Sequence, residues 1–347
     1  MLKSLNQQLA QAVHLTDEQV RIAVGQLLDE SIPADLKADF LCHLAAKIET
    51  PEEIAAFARE LRAKSIQPPI DAETRSREIL DVCGTGGDRL NTFNISTTVA
   101  IICAAAGVAV AKHGNRAITS QSGSADVLEA LGIRVELTPA EAAQSLREHN
   151  FAFFFAPNYH PAFKHISAAR KLCAQRGQRT IFNFVGPLLN PARPSAQLIG
   201  VSRPELCETL AHVLQSLGVR RGMVVSGQVG TAWLDELSTL GENIIAEFYQ
   251  DRGFTTSSIS PNHFPLQPAT LADLAGSDRQ ANAEIVRRLL RNEDRGPKRD
   301  AILLNAGASL FVANRTKSLL EGWELADNLI TSGQAFAKLQ ALAATGN

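Results

Sequence analysis

The chain has 347 residues, 45% of them hydrophobic, enough for a packed core with room for two domains. Its 34 basic and 36 acidic side chains leave a formal charge of -2, so no net basic field draws in nucleic acid and generic polyanion binding is disfavoured. Five cysteines without CxxC spacing read as buried free thiols in a reducing compartment. The opening MLKSLNQQLAQAV is too polar for a signal peptide, and no apolar run has the length of a membrane span. The expectation is a cytoplasmic protein without a membrane segment.

Residues 1–70 carry helix punctuation and no strand pattern. Thr16 with Gln19, and Thr50-Pro51 with Glu53, have the form of capping boxes, the second with proline at the first helical position. A small all-helical domain is expected there. After Ser65-Ile66-Gln67-Pro68-Pro69 short apolar runs alternate with helices: Ile79 to Cys83, Val108 to Ala111, Phe151 to Phe155, Leu198 to Val201 and Met223 to Val225. That alternation predicts an α/β fold with a mainly parallel central sheet flanked by helices. Between Tyr159 and Gln178 the pattern is helical again. The expected division is therefore residues 1–70 helical, 71–157 α/β, 158–182 returning to the helical domain, and 183–347 α/β, with a cleft at the crossing. Helical spacing recurs over Ala281 to Leu290, Asp300 to Val312, Lys317 to Ile330 and Gly333 to Ala343.

Two Gly-rich, hydroxyl-rich loops stand between an expected strand and an expected helix. A loop of that kind gathers free N–H groups at the positive end of a helix dipole and so suits a phosphate. The first, Gly84-Thr85-Gly86-Gly87-Asp88, lacks the Gly-Lys-Ser/Thr ending of a P-loop, and Arg89 stands at the third-glycine position of a dinucleotide fingerprint. It leads to Asn94-Ile95-Ser96-Thr97 at the head of an apolar helix, Ile95 to Ala106. Taken alone, Asn94 or Ser96 would be a helix cap; beside GTGGD they read as ligand-binding. The second loop, Lys112-His113-Gly114-Asn115-Arg116, runs on into Thr119-Ser120-Gln121-Ser122-Gly123-Ser124 and offers cations and neutral donors together. Paired cradles suggest a ligand with more than one phosphate group.

GTGGD, NIST and KHGNR with its SGSADVLEALG continuation resemble the anthranilate phosphoribosyltransferase family, and more loosely the pyrimidine nucleoside phosphorylases. So do KIETPEEIAAF, FAPNYHPAFKH, RTIFNFVGPLLNP, LDEL, ANAEIVRRLL, LLNAGASL and SGQA, in that order along nearly the whole chain. The resemblance implies a small helical domain on a larger α/β domain with the active site between them. The activity it implies is transfer of phosphoribosyl from phosphoribosyl pyrophosphate to the amine of anthranilate, with release of pyrophosphate, in tryptophan synthesis. It assigns Gly84, Gly87, Asp88, Thr92, Asn94, Ile95, Ser96 and Thr97 to the first phosphoribosyl-pyrophosphate loop. Lys112, Asn115, Arg116, Ala117, Ile118, Thr119, Ser120 and Ser124 match the second.

The resemblance also implies magnesium (Mg2+) on Asp235, Glu236 and the Ser96 hydroxyl, a small carboxylate set that suits a cation completed by phosphate oxygens. For the acceptor it implies Gly84, Asn115 and Arg170, with His113, Tyr159 and His160 nearby. Arg170 can hold a carboxylate by two parallel hydrogen bonds, and His113, with an ordinary pKa range, is a candidate proton acceptor. A homodimer through the helical domain is also implied. Gln121 departs from the family's usual lysine, and the segments Lys171 to Gln178 and Gly227 to Leu234 run longer than usual. The alternatives are a relative with another aromatic or nucleobase acceptor, and a non-catalytic nucleic-acid-binding relative.

Overall fold

In the computed structural model, which describes residues 1–117, 121–250 and 253–345, the chain opens with α1 (Leu2–Ala10), α2 (Asp17–Leu28), α3 (Ala34–Lys47) and α4 (Pro51–Ala63). Both capping boxes form. Thr16 and Thr50 accept the N–H of Gln19 and Glu53, whose side chains bond back to the threonine N–H groups. Glu53 does more than cap. Its carboxylate also takes the Leu15 N–H at 2.8 Å and the Lys47 ammonium at 2.6 Å, a buried pair that ties α4 to α3 and to the turn before α2.

After α5 (Ala72–Ser76) the alternation begins: β1 (Ile79–Gly84), α6 (Ile95–Ala105), β2 (Ala109–Gly114), α7 (Ser124–Ala130), α8 (Pro139–His149) and β3 (Phe151–Phe155). The chain then leaves the sheet through α9 (Ala156–Tyr159), a 3-10 turn at Pro161–Ile166 and α10 (Ser167–Gln175). This stretch packs on α2 and α3. The sheet resumes with β4 (Ala196–Gly200), α11 (Leu206–Ser216), β5 (Arg221–Val229), β6 (Ala232–Leu234), β7 (Asn243–Tyr249) and β8 (Gly253–Ile259). It ends in α12 (Arg279–Leu290), α13 (Pro297–Val312), α14 (Leu319–Thr331) and α15 (Gln334–Ala344).

The strand order is β3-β2-β1-β4-β5-β7-β8, with β6 paired to β5. The first five are parallel. β6, β7 and β8 are antiparallel additions that the pattern reading did not anticipate. Alternate residues divide the sheet into two buried faces. Leu80, Val82, Leu198, Met223 and Val225 pack beneath α6 and α13, while Ile199, Val224 and Phe248 join α11 and the helical bundle in one continuous cluster. All five cysteines are free, with the Cys42 and Cys173 sulfurs 3.6 Å apart. No helix among the described residues is long and apolar enough to cross a membrane.

Candidate functional site

From β1 the strand order runs to β2 on one side and β4 on the other, so the loops leaving these strands diverge and open a crevice at their carboxyl ends. The first glycine loop leaves β1 here and the second leaves β2. The turn Asp235-Glu236, just after β6, lies across the ends of β1 and β4. Those ends are glycines paired in register, Gly84 with Gly200. A Cβ on Gly84 would overlap the Asp235 carboxylate, and one on Gly200 would overlap the Asp235 backbone carbonyl. Both glycines are the space that admits the acidic turn. Gly200 went unnoticed in the sequence, where only its register with Gly84 could have marked it.

The acidic pair takes donors from the first loop. Asp235 Oδ2 accepts the Gly86 N–H at 2.6 Å, and Glu236 Oε1 accepts the Ser96 N–H, in the first turn of α6, at 3.1 Å. Here carboxylates fill positions that suit a phosphate oxygen equally well. Burial raises the Asp235 pKa well above the carboxylate range, with the charges of Asp88 and Glu236 adding to it. Burial likewise pushes Glu236 up to about 7, against the pull of Lys112 and Ser96. Such a pair lacks positive charge, and a divalent cation would supply it. Among the described residues no group of three or more His, Cys, Asp or Glu side chains could hold a metal alone. A cation on Asp235, Glu236 and Ser96 would therefore be completed by ligand oxygens, which suits magnesium.

The rest of the first loop is braced at its far end. Thr92 bridges Ala275, Gly276 N–H reaches the Asn91 carbonyl at 2.8 Å, and Phe93 is buried. Asn94 stands at the N-cap of α6 but makes no side-chain cap bond. Its amide instead donates to the Ser122 carbonyl at 3.3 Å and its oxygen accepts from Asn282 at 2.9 Å, joining the two loops to α12. The Ile95 and Thr97 side chains are buried in the core, which leaves only their backbone to face a ligand. Gly87 has φ +83°, while Asp88 caps the next turn through the Leu90 N–H.

The second loop is tied down by Asp126, whose Oδ2 accepts the N–H groups of Ala117 and Gly123, each at 2.9 Å. Ser124 Oγ donates to the Asn115 carbonyl at 3.4 Å, and Asn115 Oδ1 accepts the Arg116 N–H. Ile118, Thr119 and Ser120 lie outside the described residues. Two cations depart from the expectation that they face an anion. Lys112 is buried, its ammonium 2.6 Å from the Val82 carbonyl and 3.3 Å from Ser96 Oγ, so it acts beneath the site rather than in it. The Arg116 guanidinium is clasped by Glu129 at 2.6 Å and 2.8 Å and by Glu136 at 3.1 Å. It braces α7 and is already committed to carboxylates, although its side chain remains 39% exposed.

On the acceptor side a row of rings leads from β2 to α10. His113 lies 5.4 Å from His160, His160 lies 4.9 Å from Phe163, and Phe163 lies 5.9 Å from Phe182, over which Arg170 stands at 5.6 Å. The crowding of Arg170 by protein lowers its pKa, although its surface still opens to solvent. Tyr159 is a correction. It points the other way, fully buried against Phe154 in a separate apolar cluster with Ile79 and Ala111, and does not belong to the site.

His113 is a second correction. Burial, reinforced by His160, pushes its pKa from 6.5 down to about 3, and burial takes His160 down to about 4. The Nε2 atoms of both are buried without a protein partner. Each ring is thus a neutral, weakly basic wall. Because these pKa values are depressed, the stability that the neutral rings confer is present above pH 6.5 and is lost as pH falls through about 3 to 4. Between roughly pH 5 and 8 a His113→Asn variant should keep the parent's pH–rate profile, since the ring does not titrate there. Loss of an acid limb in the variant would return His113 to the role of base. Beneath the rings, Asn190 was also missed in the sequence. It donates to Asp81 Oδ2 at 2.8 Å and to the Ala111 carbonyl at 2.7 Å, locking β1 to β2.

Comparison with known proteins gives this geometry a context. Residues 3–65 match the helical bundle domain of a glycosyl transferase family, and residues 76–336 match its α/β domain. A curated anthranilate phosphoribosyltransferase of Lacticaseibacillus paracasei is 44% identical over 344 residues, 99% of this chain and 97% of its own. The crystal structure of the Thermus thermophilus anthranilate phosphoribosyltransferase superposes with a TM-score of 0.89 at 38% identity, covering 99% of both chains. The Saccharomyces cerevisiae enzyme in complex with phosphoribosyl pyrophosphate and magnesium superposes with a TM-score of 0.87 at 27% identity, covering 99% of this chain and 97% of that one. With two glycine loops, an acidic turn and an arginine-bearing helix in the arrangement described, the chain belongs to the anthranilate phosphoribosyltransferase family.

Proposed function

We propose that this chain is a magnesium-dependent pentosyltransferase that moves phosphoribosyl from phosphoribosyl pyrophosphate to the anthranilate amine, releasing pyrophosphate, as a step of tryptophan synthesis. The observation that carries the reading is the convergence of Gly86, Ser96, Asp235 and Glu236 at the switch point of the sheet. Breaking the anomeric C–O bond leaves positive charge on the ribose and sends negative charge onto pyrophosphate. The site's main task is therefore to stabilise a departing anion. Bound magnesium supplies a Lewis acid for that anion. Asp235, Glu236 and the Ser96 hydroxyl would hold it, and the backbone N–H groups of the first loop and of the start of α6 would be donors for phosphate oxygens.

The row from His113 to Phe182 gives the acceptor an aromatic wall, and Arg170 at its end matches a carboxylate by two parallel hydrogen bonds. The amine is already a neutral nucleophile, so holding its ring against the ribose is the main requirement. A homodimer joined through the helical domain, working in the cytoplasm, completes the reading. The exposed Met1, Val13 and Ile48 on that domain support the contact.

The test is the loss of anthranilate fluorescence with phosphoribosyl pyrophosphate and magnesium. Turnover by the parent protein is the expected result, and its absence would sink the reading. In the same assay Arg170→Ala should raise the anthranilate KM about tenfold or more, the cost of one charged bidentate contact, with the phosphoribosyl pyrophosphate KM unchanged. An unchanged anthranilate KM removes the clamp.

A further inference from the structure

The cradle is short of free positive charge. Lys112 is held by the Val82 carbonyl and Ser96, Arg116 is held by Glu129 and Glu136, and the exposed position 121 is a neutral glutamine. Asp88, Asp235 and Glu236 meanwhile bring three carboxyl groups, and no cation, to the same crevice. A dianionic leaving group entering here needs a cation from the protein as well as a metal.

One side chain answers that need. Arg179, in the connection after α10, lies against the first loop, with Nη2 2.9 Å from the point where a Cβ on residue 87 would stand. The positive φ of Gly87 favours glycine there, and the guanidinium lies against the side of the residue that a Cβ would occupy. No hydrogen bond or ion pair within the described residues engages the Arg179 guanidinium. It shares a cleft of about 110 Å³ with Thr85, Glu49 and Arg203. Arg203, in contrast, is engaged by Glu205 at 3.8 Å and by the Phe184 ring. An unpaired guanidinium in contact with a phosphate-type loop has the fork geometry that suits a phosphate group, and its planar donors are pre-organised for it.

We infer that Arg179 is a diphosphate-binding residue: its guanidinium flanks the first loop at Gly87 and holds a phosphate oxygen of the donor substrate, supplying charge that position 121 does not. The inference rests on the proposed donor substrate, and the experiment separates the two. Magnesium pyrophosphate binding is measured by calorimetry on the parent protein, Arg179→Gln, Arg179→Lys and Arg89→Gln, alongside KM for both substrates. Arg89 is the control because it sits on the same loop, exposed and also without a partner among the described residues.

Arg179→Gln should weaken magnesium pyrophosphate binding about tenfold or more and raise the phosphoribosyl pyrophosphate KM to match, leaving the anthranilate KM unchanged. Arg179→Lys should recover part of the loss, and Arg89→Gln should behave as the parent. Should Arg179→Gln fail to fold, Arg179→Lys carries the test through the same two readouts, with an intermediate loss expected because a point charge replaces the fork. Unchanged pyrophosphate affinity at residue 179, or an equal loss in the Arg89 variant, overturns the assignment. Pyrophosphate binding that depends on Arg179 in a protein inactive toward anthranilate would uphold it and overturn the proposed acceptor.

Discussion

Replacing Asp235 and Glu236 together by Asn and Gln is expected to reduce turnover by about a thousandfold or more, in keeping with the loss of the principal charge stabilisation at a reacting centre. The fold should survive. Both amides retain an oxygen that can accept the Gly86 and Ser96 N–H groups, so the bonds that hold the first loop against the acidic turn persist. Neither carboxylate is a source of stability in the metal-free protein, because burial has raised both pKa values and ionising either one costs the fold. The variant should therefore melt no lower than the parent without magnesium, while magnesium with pyrophosphate should raise the melting temperature of the parent alone. A fluorescence assay over a magnesium titration, paired with a thermal melt, separates the two effects. Full activity in the double variant would place the metal elsewhere.

How much of this could be read from the residues depended on the distance over which each feature is determined. β1 to β5 are apolar runs bounded by glycine or proline, and the capping boxes are signals of four residues. Both were legible. β8 was not, since Gly253–Ile259 is a hydroxyl-rich edge strand with mostly exposed positions, and its pairing with β7 is what makes it a strand. The glycine loops stood out by composition, but the fate of their cations did not. Arg116 is taken by Glu129 and Glu136, on the far side of the loop and beyond α7, a partnership that only the path of the chain creates. Tyr159 and His160 are neighbours in sequence, yet one enters the apolar cluster and the other joins the row of rings. The sequence offered His113 as a base and could not show its burial, because desolvation leaves no mark on a sequence.

Gly200→Ala is the second change expected to have a large effect, and it tests the architecture rather than the chemistry. The added Cβ meets backbone on the acidic turn, the carbonyl group of Asp235 and the amide nitrogen of Glu236, neither of which can rotate aside. The turn must shift bodily, carrying both carboxylates away from Gly86 and Ser96. Activity should fall by about a hundredfold or more, since a displacement on the order of 1 Å is enough to spoil a reacting geometry. Stability should drop by about 1–3 kcal/mol, the usual cost of overpacking. Gly84→Ala makes the matched comparison across the β1–β4 register. Its Cβ meets the Asp235 carboxylate most closely, a side chain that can swing away, and the Asp235 backbone carbonyl less severely, at 2.8 Å against the deeper overlap at Gly200. The Gly84 variant should therefore lose comparable activity with a smaller loss of stability, as denaturant titration and the fluorescence assay together would reveal. Equal and negligible effects from both alanines would mean that the acidic turn is not seated on the strand ends.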